Sequence, residues 1–289
     1  MGTYDRILLV GAKGMLANAI RRALEARGHT VTGVDVPDID ITKRESVDAH
    51  FASVKPTLVI NCAAYTNVDG CEKNRELADA VNGTGVGHLA EASKKIGATL
   101  VHYSTDYVFD GTLRRPLQPN DPVGPVSAYG KGKLLGEQLL QQHAPPRWLI
   151  LRTAWLYGPS GNNFPQAILN AAKAGKPLRV VSDQYGSPTF TQHLADATLN
   201  LLDSTASGIF HATNSGDTNW ADFARAVLKE FGVVAPVESI SADDWKKIKP
   251  DSATRPAYSV LDTSAYTKAT GKPMPHWIDG LKAYRAAIG

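Results

Sequence analysis

Tyr129 and Lys133, in the stretch "SAYGKGKLLGE", stand four residues apart in a helix-compatible run. One helical turn separates them, so both side chains project from one face and can touch one molecule. A phenol beside an amine is an acid-base pair, yet the same spacing arises by chance in amphipathic helices whose lysine is solvated. The surrounding chain decides between the two.

A second constellation, "GAKGMLA" from Gly11 to Ala17, joins the apolar run "RILLV" to the helical pattern "MLANAIRRALEARG". In that strand-loop-helix context the missing β-carbons of Gly11 and Gly14 let the backbone approach a pyrophosphate, and the helix start at Met15 and Leu16 attracts its charge. The spacing is G-x-x-G-x-x-A, with alanine tolerated where helix and strand pack closely. Asp35 ends the second strand 21 residues beyond Gly14. A carboxylate there accepts ribose hydroxyls and repels a 2′-phosphate, which favours NADH. Lys13, able to meet such a phosphate, favours NADPH, so the expected cofactor is NADPH or NADH. Asp40 and Ile41 of "DIDIT", read as following a third strand, are candidate adenine contacts, with a solvated acidic loop the alternative for Asp40.

The elements that must position these residues alternate. "RILLVGA", "TVTGVDV", "TLVINCAA" and "TLVHYSTDYVF" are short apolar runs separated by helical patterns, the signature of buried parallel strands joined by right-handed crossovers. A doubly wound α/β sheet is expected, with Gly28 and Gly97 closing two helices. A short acidic connection, "DVPDIDIT", follows the second strand before "KRESVDAHFASVKP" makes another helix, so the crossover to the third strand is expected to be abbreviated. After another buried strand in "PPRWLILRTAWLYG" the chain turns irregular. "DQYGSPTFTQHLADATLNLL" and "TNWADFARAVLKEFG" read as loops and helices of a small lobe over the sheet's C-terminal edge. The expected division is a core over 1–157 and a lobe over 158–289, with some segments returning to the core.

The 289 residues and 43% hydrophobic content suit a packed core of this size. A net charge of +3 with no long basic run gives nucleic acid no support as a partner. Cys62 and Cys71 are too few for a disulfide framework and lack companions at zinc spacing, so both are expected reduced, Cys62 buried, and no metal is expected. The chain enters an apolar strand at once, without a basic and then apolar leader, and no stretch reaches 18 uninterrupted apolar residues. Gly2 fits the start of a myristoylation pattern, but its closeness to the first strand argues against it. A soluble cytoplasmic protein with no membrane partner, monomer or homodimer, is the expectation.

Placed after a dinucleotide loop, Tyr129-x-x-x-Lys133 resembles the catalytic pair of the short-chain dehydrogenase/reductase family, with Thr105 of "HYSTDYVFDG" as the third member. The resemblance implies that Tyr129 donates a proton to a carbonyl oxygen as hydride arrives, that Lys133 holds the nicotinamide ribose, and that Thr105 polarises the carbonyl. A neighbouring ammonium and the oxidised cofactor's charge are expected to favour phenolate. Lowering a phenol pKa by ~3 units takes about 4 kcal/mol.

Six blocks in order, "INCAAYTNVDGCE", "YSTDYVFDG", "YGKGKLLGE", "LRTAWLYG", "DQYGSPT" and "RPAYSVLD", resemble the dTDP-4-dehydrorhamnose reductases of the extended branch of that family. The resemblance implies a Rossmann-like fold with a smaller C-terminal substrate-binding lobe, a dTDP-linked 4-ketosugar substrate, and a role in surface polysaccharide precursor synthesis. By the same resemblance, Ala63, Ala64 and Thr66 would line the cofactor, Val68, Thr105 and Asp106 would meet the sugar, and Trp155 would pack on its ring. Asn163, Phe164, Gln184 and Arg255 would surround the nucleotide end, with Arg255 apt for a diphosphate. Trp155 has a plain alternative as a core residue on a strand. Nucleotide-sugar dehydratases and epimerases share the fold and the Tyr-Lys pair. Dehydratases carry an Asp-Glu pair after the threonine, whereas here Asp106 is followed by Tyr107, so reduction is preferred. A non-catalytic regulatory subunit, similar to the methionine adenosyltransferase beta subunit, shares the fold too.

Overall fold

A computed structural model describes residues 4–289, so Gly2 lies outside the described residues. The first half runs β1 (Ile7–Val10), α1 (Met15–Glu25), β2 (Val31–Val34), α2 (Arg44–Val54), β3 (Leu58–Asn61), α3 (Val68–Lys73), α4 (Arg75–Asp79), α5 (Gly85–Ile96), β4 (Thr99–Thr105), α6 (Ala128–His143) and β5 (Trp148–Thr153). Between α4 and α5 a π-helical turn spans Ala80–Thr84, and a 3₁₀ turn follows β4 at Asp106–Val108. The second half runs β6 (Leu156–Tyr157), α7 (Phe164–Lys173), β7 (Leu178–Val181), β8 (Tyr185–Gly186), β9 (Thr189–Phe190), α8 (Thr191–Asp203) and β10 (Gly208–His211). It ends with β11 (Thr218–Asn219), α9 (Trp220–Glu230), β12 (Val237–Ile240), α10 (Ala242–Ile248), α11 (Ser264–Thr270) and α12 (Trp277–Ile288).

Six parallel strands form the central sheet in the order β10-β5-β4-β3-β1-β2. Its inner strands β1, β3, β4 and β5 are buried on both faces because both are covered, while the edge strand β2 exposes Thr32 and Gly33. Ile7, Leu9, Leu58, Ile60, Val101 and Leu149 pack with α1 and α8, while Leu8, Val10, Val59, Leu100 and Ile150 pack with α2 and α5. The alternation follows the strand's two-residue period, and the two-sided cover is that of a doubly wound, Rossmann-like α/β sheet. Strand order reverses between β1 and β3, so the loops after these strands open the crevice in which such sheets bind ligands.

Three expectations need correction. No strand forms between Val34 and Arg44, so Asp40 and Ile41 lie on the β2–α2 loop rather than behind a third strand. Asp40 there accepts hydrogen bonds from the Thr42 amide and hydroxyl, which turn the chain before a strand can start. Nor is that crossover abbreviated, since the helix expected over "KRESVDAHFASVKP" forms as α2 and makes three full turns. α8, read as part of the lobe, buries Leu194, Ala195, Leu199 and Leu201 in the same core cluster as α1, because its apolar residues face the sheet. In the lobe itself, β7 and β12 pair in parallel, and Tyr157, Phe190, Phe223, Trp277 and Tyr284 centre a separate aromatic core.

Candidate active site

The glycine-rich loop leaves β1 with Gly11 at φ +76°, where a β-carbon would come within 2.5 Å of the Ala63 nitrogen. Only glycine joins that left-handed turn to so close an approach. Gly14 then caps α1 with no side-chain hydrogen bond, leaving the helix's first amides without a side-chain acceptor. Gly11, Gly14, Asp35, Asp40, Ile41, Ala63 and Ala64 line a cavity of about 310 Å³. Asp35 accepts from the Lys13 amide at 2.9 Å and the Val36 amide at 2.8 Å, while Lys13 Nζ donates to the Val36 carbonyl at 3.0 Å.

Gly14, Ala63 and Ala64 also line a larger cavity of about 710 Å³, so the two are continuous. It gathers Lys13, Met15, Leu16, Thr66, Val68, Thr105, Asp106, Tyr129, Lys133, Trp155 and Phe164. Ser104 Oγ and Thr153 Oγ1, on adjacent strands in its wall, are buried hydroxyls with no protein partner. The free helix amides, the glycine cradle and these hydroxyls together fit a dinucleotide along the cavity that Tyr129 also lines.

Tyr129 and Lys133 sit in α6, whose start is capped by Ser127 accepting from the Gly130 amide. Thr105 ends β4, donates to Asp106 Oδ1 at 2.9 Å and accepts from the Tyr107 amide at 3.1 Å. Burial pushes the Tyr129 phenol pKa up, the nearby Asp106 carboxylate adds to this, and a hydrogen bond with Thr105 opposes it. The expected lowering by Lys133 is not among these influences, because Lys133 Nζ faces the Tyr103 carbonyl at 2.6 Å and His102 Nε2 at 3.3 Å. The phenol therefore keeps its proton, the form a donor to a carbonyl needs. Burial also pulls Lys133 down to about 8 against the raising influence of Glu137 and Cys62.

Asp106 is buried, and Ser259 Oγ donates to its Oδ2 at 2.5 Å. Trp155 adopts φ +48° and stacks on Trp220 with ring centroids 3.6 Å apart at 11°; Phe164 lies 4.7 Å from Trp220. These rings make an apolar wall of the cavity that the catalytic candidates also line. Three candidates stand outside both linings. Asn163 caps α7, accepting from the Gln166 amide and donating to the Gly158 carbonyl. Gln184 is buried, and Arg255 is held by Asp69 Oδ1 at 3.0 Å. Of the cysteines, Cys71 is buried and Cys62 only half-buried, because Cys62 borders the cavity.

Sequence reading missed Trp220, Ser104, Thr153 and Ser259. Trp220 follows Asn219, a helix N-cap recognisable in "TNWADF", but nothing local tells that its indole meets Trp155.

A family model described as RmlD substrate binding domain matches residues 5–288. A dTDP-4-dehydrorhamnose reductase of Streptomyces griseus is 40% identical over 94% of this chain and 90% of its own length. A dTDP-4-keto-6-deoxy-D-glucose reductase of Streptomyces niveus is 38% identical over 96% of this chain and 95% of its own. Among solved structures, dTDP-4-dehydrorhamnose reductase from Bacillus anthracis in complex with NADP superposes with a TM-score of 0.93 at 32% identity, covering 98% of this chain and 99% of that one.

Proposed function

The chain belongs to the family of the RmlD substrate binding domain, and on that premise we propose that it reduces the 4-keto group of dTDP-4-dehydro-L-rhamnose to dTDP-L-rhamnose, using NADPH or NADH. The observation that carries the reading is the cavity shared by Thr105, Tyr129 and Lys133 with the phosphate-binding loop and the Trp155–Trp220 wall.

The nicotinamide cofactor, when bound, supplies hydride to the ketone carbon. Gly11, Gly14, Met15 and Leu16 would hold its pyrophosphate, with Lys13 and Asp35 at the adenosine ribose, Asp40 and Ile41 toward the adenine, and Ala63, Ala64 and Thr66 along the crevice. Tyr129 gives its phenolic proton to the carbonyl oxygen, so the C=O bond becomes an alcohol. Lys133 holds the nicotinamide ribose and balances the phenolate that Tyr129 leaves. Thr105 and Asp106 position the carbonyl, Val68 and Trp155 the sugar ring, and Asn163, Phe164, Gln184 and Arg255 the nucleotide end. Residues 1–157 would then form the dinucleotide core and residues 158–289 most of the sugar-nucleotide lobe.

The test is loss of nicotinamide absorbance with enzymatically generated dTDP-4-dehydro-L-rhamnose, NADH and NADPH in parallel, and the product identified by NMR. Tyr129→Phe is expected to bind dinucleotide normally but lose about 10²- to 10⁴-fold in turnover. Near-normal kcat would remove Tyr129 from the role of proton donor. The Streptomyces niveus relative favours a second reading, reduction of dTDP-4-keto-6-deoxy-D-glucose. Offering both ketosugars separates the two by kcat/KM, and dinucleotide binding without turnover of either would point to a regulatory subunit.

A further inference from the structure

His102 is fully buried beneath Lys133 and belongs to none of the roles above. Its Nδ1 lies 3.1 Å from Asn61 Nδ2. The orientation of that amide is set independently, because Asn61 Oδ1 accepts the Ala63 backbone N–H at 3.0 Å. Asn61 thus turns its donor end to the ring, and Nδ1 must accept. Burial holds the imidazole pKa well below its ordinary value, with the Lys133 charge acting in the same direction, so the ring is neutral. A neutral imidazole that accepts at Nδ1 carries its proton on Nε2.

That Nε2–H points at Lys133 Nζ, 3.3 Å away. An ammonium has three donors and no acceptor, whereas a free amine accepts from Nε2–H and still donates to the Tyr103 carbonyl. We propose that Ala63 N–H, Asn61 and His102 form a one-way hydrogen-bond relay that stabilises the free-amine form of Lys133, and that dinucleotide binding to that form recharges the lysine with a proton from solvent. His102 and Asn61 are then positioning residues that act through Lys133. The inference rests on the assignment of Lys133 to the cofactor's ribose.

Among the other groups around Nζ, Glu137 and Cys62 favour the ammonium, and burial outweighs them. Cys62, at the end of β3, has its thiol pKa raised by burial and stays neutral. Glu137, one turn along α6, is neutralised by Arg152, whose Nε and Nη2 reach its two oxygens at 2.9 and 2.7 Å. On α3 and α4, Asp69 is held by Lys249 and Arg255, Glu72 accepts the Ala128 amide, Glu76 is exposed and Asp79 lies against Gly132, while Cys71 packs with Tyr129. Tyr103 contributes its carbonyl, its hydroxyl being bonded to Thr198.

Two measurements test the relay. ¹⁵N NMR of the histidine side chains in the cofactor-free protein should find the His102 proton on Nε2; a proton on Nδ1 would overturn the proposal. Calorimetric titration with NADPH in buffers of different ionisation enthalpy, above the lysine's midpoint of about 8, should show uptake approaching one proton per site. Binding without uptake would overturn it equally. In Asn61→Asp the carboxylate accepts from both Ala63 N–H and Nδ1–H, which reverses the ring and offers Nζ a lone pair. Uptake should then vanish and the lysine midpoint rise. His102→Gln, free to turn its amide oxygen to Nζ, should act in the same direction, so the comparison survives misfolding of either variant. Unchanged uptake in a folded variant would count against the relay. The tautomer needs no turnover to be read: an Nδ1–H ring in an active reductase sinks only the relay, while failure to turn over any ketosugar sinks the reductase reading.

Discussion

At the scale of single residues, Asp106 carries the least comfortable charge. Burial lifts its carboxyl to about 6 from an ordinary 3.8, even though Ser259 and Thr105 donate to it. The folded state therefore holds this proton more tightly than the unfolded chain. The stability that protonated Asp106 contributes is present near pH 4 and is lost as pH rises through about 6, a change on the order of 3 kcal/mol. Ser259→Ala removes a donor that serves the carboxylate form, so it should cost about 1.5–3 kcal/mol at neutral pH and much less in acid. Urea midpoints at the two pH values check this, and equal losses at both would refute it. Tyr129 and Lys133 were legible as one-turn neighbours because helical spacing is a local signal, whereas Thr105, which lines the same cavity, joined them only through the family resemblance. Ser259 was not legible, since it meets Asp106 from 153 positions away with no pattern to announce it.

At the scale of elements, α6 shows why a helix can be read without its surroundings being read. Its inner face buries Lys133, Glu137, Gly130, Gly132 and Gly136 where an apolar stripe would ordinarily lie. The glycines are there for proximity: a β-carbon on Gly130 would lie 2.2 Å from the Tyr107 carbonyl oxygen, and one on Gly136 would lie 2.3 Å from that of Asn82 in the π-helical turn. Gly130→Ala should push the start of α6 off the 3₁₀ turn, costing about 1–3 kcal/mol in stability, with kcat falling more than dinucleotide affinity. Thermal melts and steady-state kinetics measure both, and unaltered kcat would show that the helix position is not limiting. Glu137 and Arg152 are almost wholly buried with 2.7 Å between charges. Glu137→Gln leaves the guanidinium uncompensated and should cost about 3–5 kcal/mol, read from denaturant unfolding. A loss below about 1 kcal/mol would mean that solvent reaches the pair. The π-helical turn itself was not legible, because "AVNGT" has no signal separating it from ordinary helix.

At the scale of the molecule, the strands of the first half were legible as apolar runs, whereas the return of β10 to the sheet edge was not, being only the four residues of "GIFH". Equally hidden was the tie between the 249–255 segment and α3. Asp69 accepts from Lys249 at 2.7 Å, the Ala253 amide at 3.0 Å and Arg255 at 3.0 Å. Asp69→Asn should free Arg255 and loosen that segment, raising KM for the nucleotide sugar by roughly tenfold, or about 1.4 kcal/mol, while leaving dinucleotide affinity unchanged. Equal shifts in both constants would show that the tie serves the whole fold rather than one ligand.

The Trp155–Trp220 stack has an optical consequence. Two indoles 3.6 Å apart and nearly parallel share their excited states, so the pair contributes a coupled band to circular dichroism. One ring follows β5 and the other begins α9, so any displacement between those elements changes that band. The protein thus carries an intrinsic, label-free reporter in the wall of its own cavity, against which the arrival of a ligand can be timed.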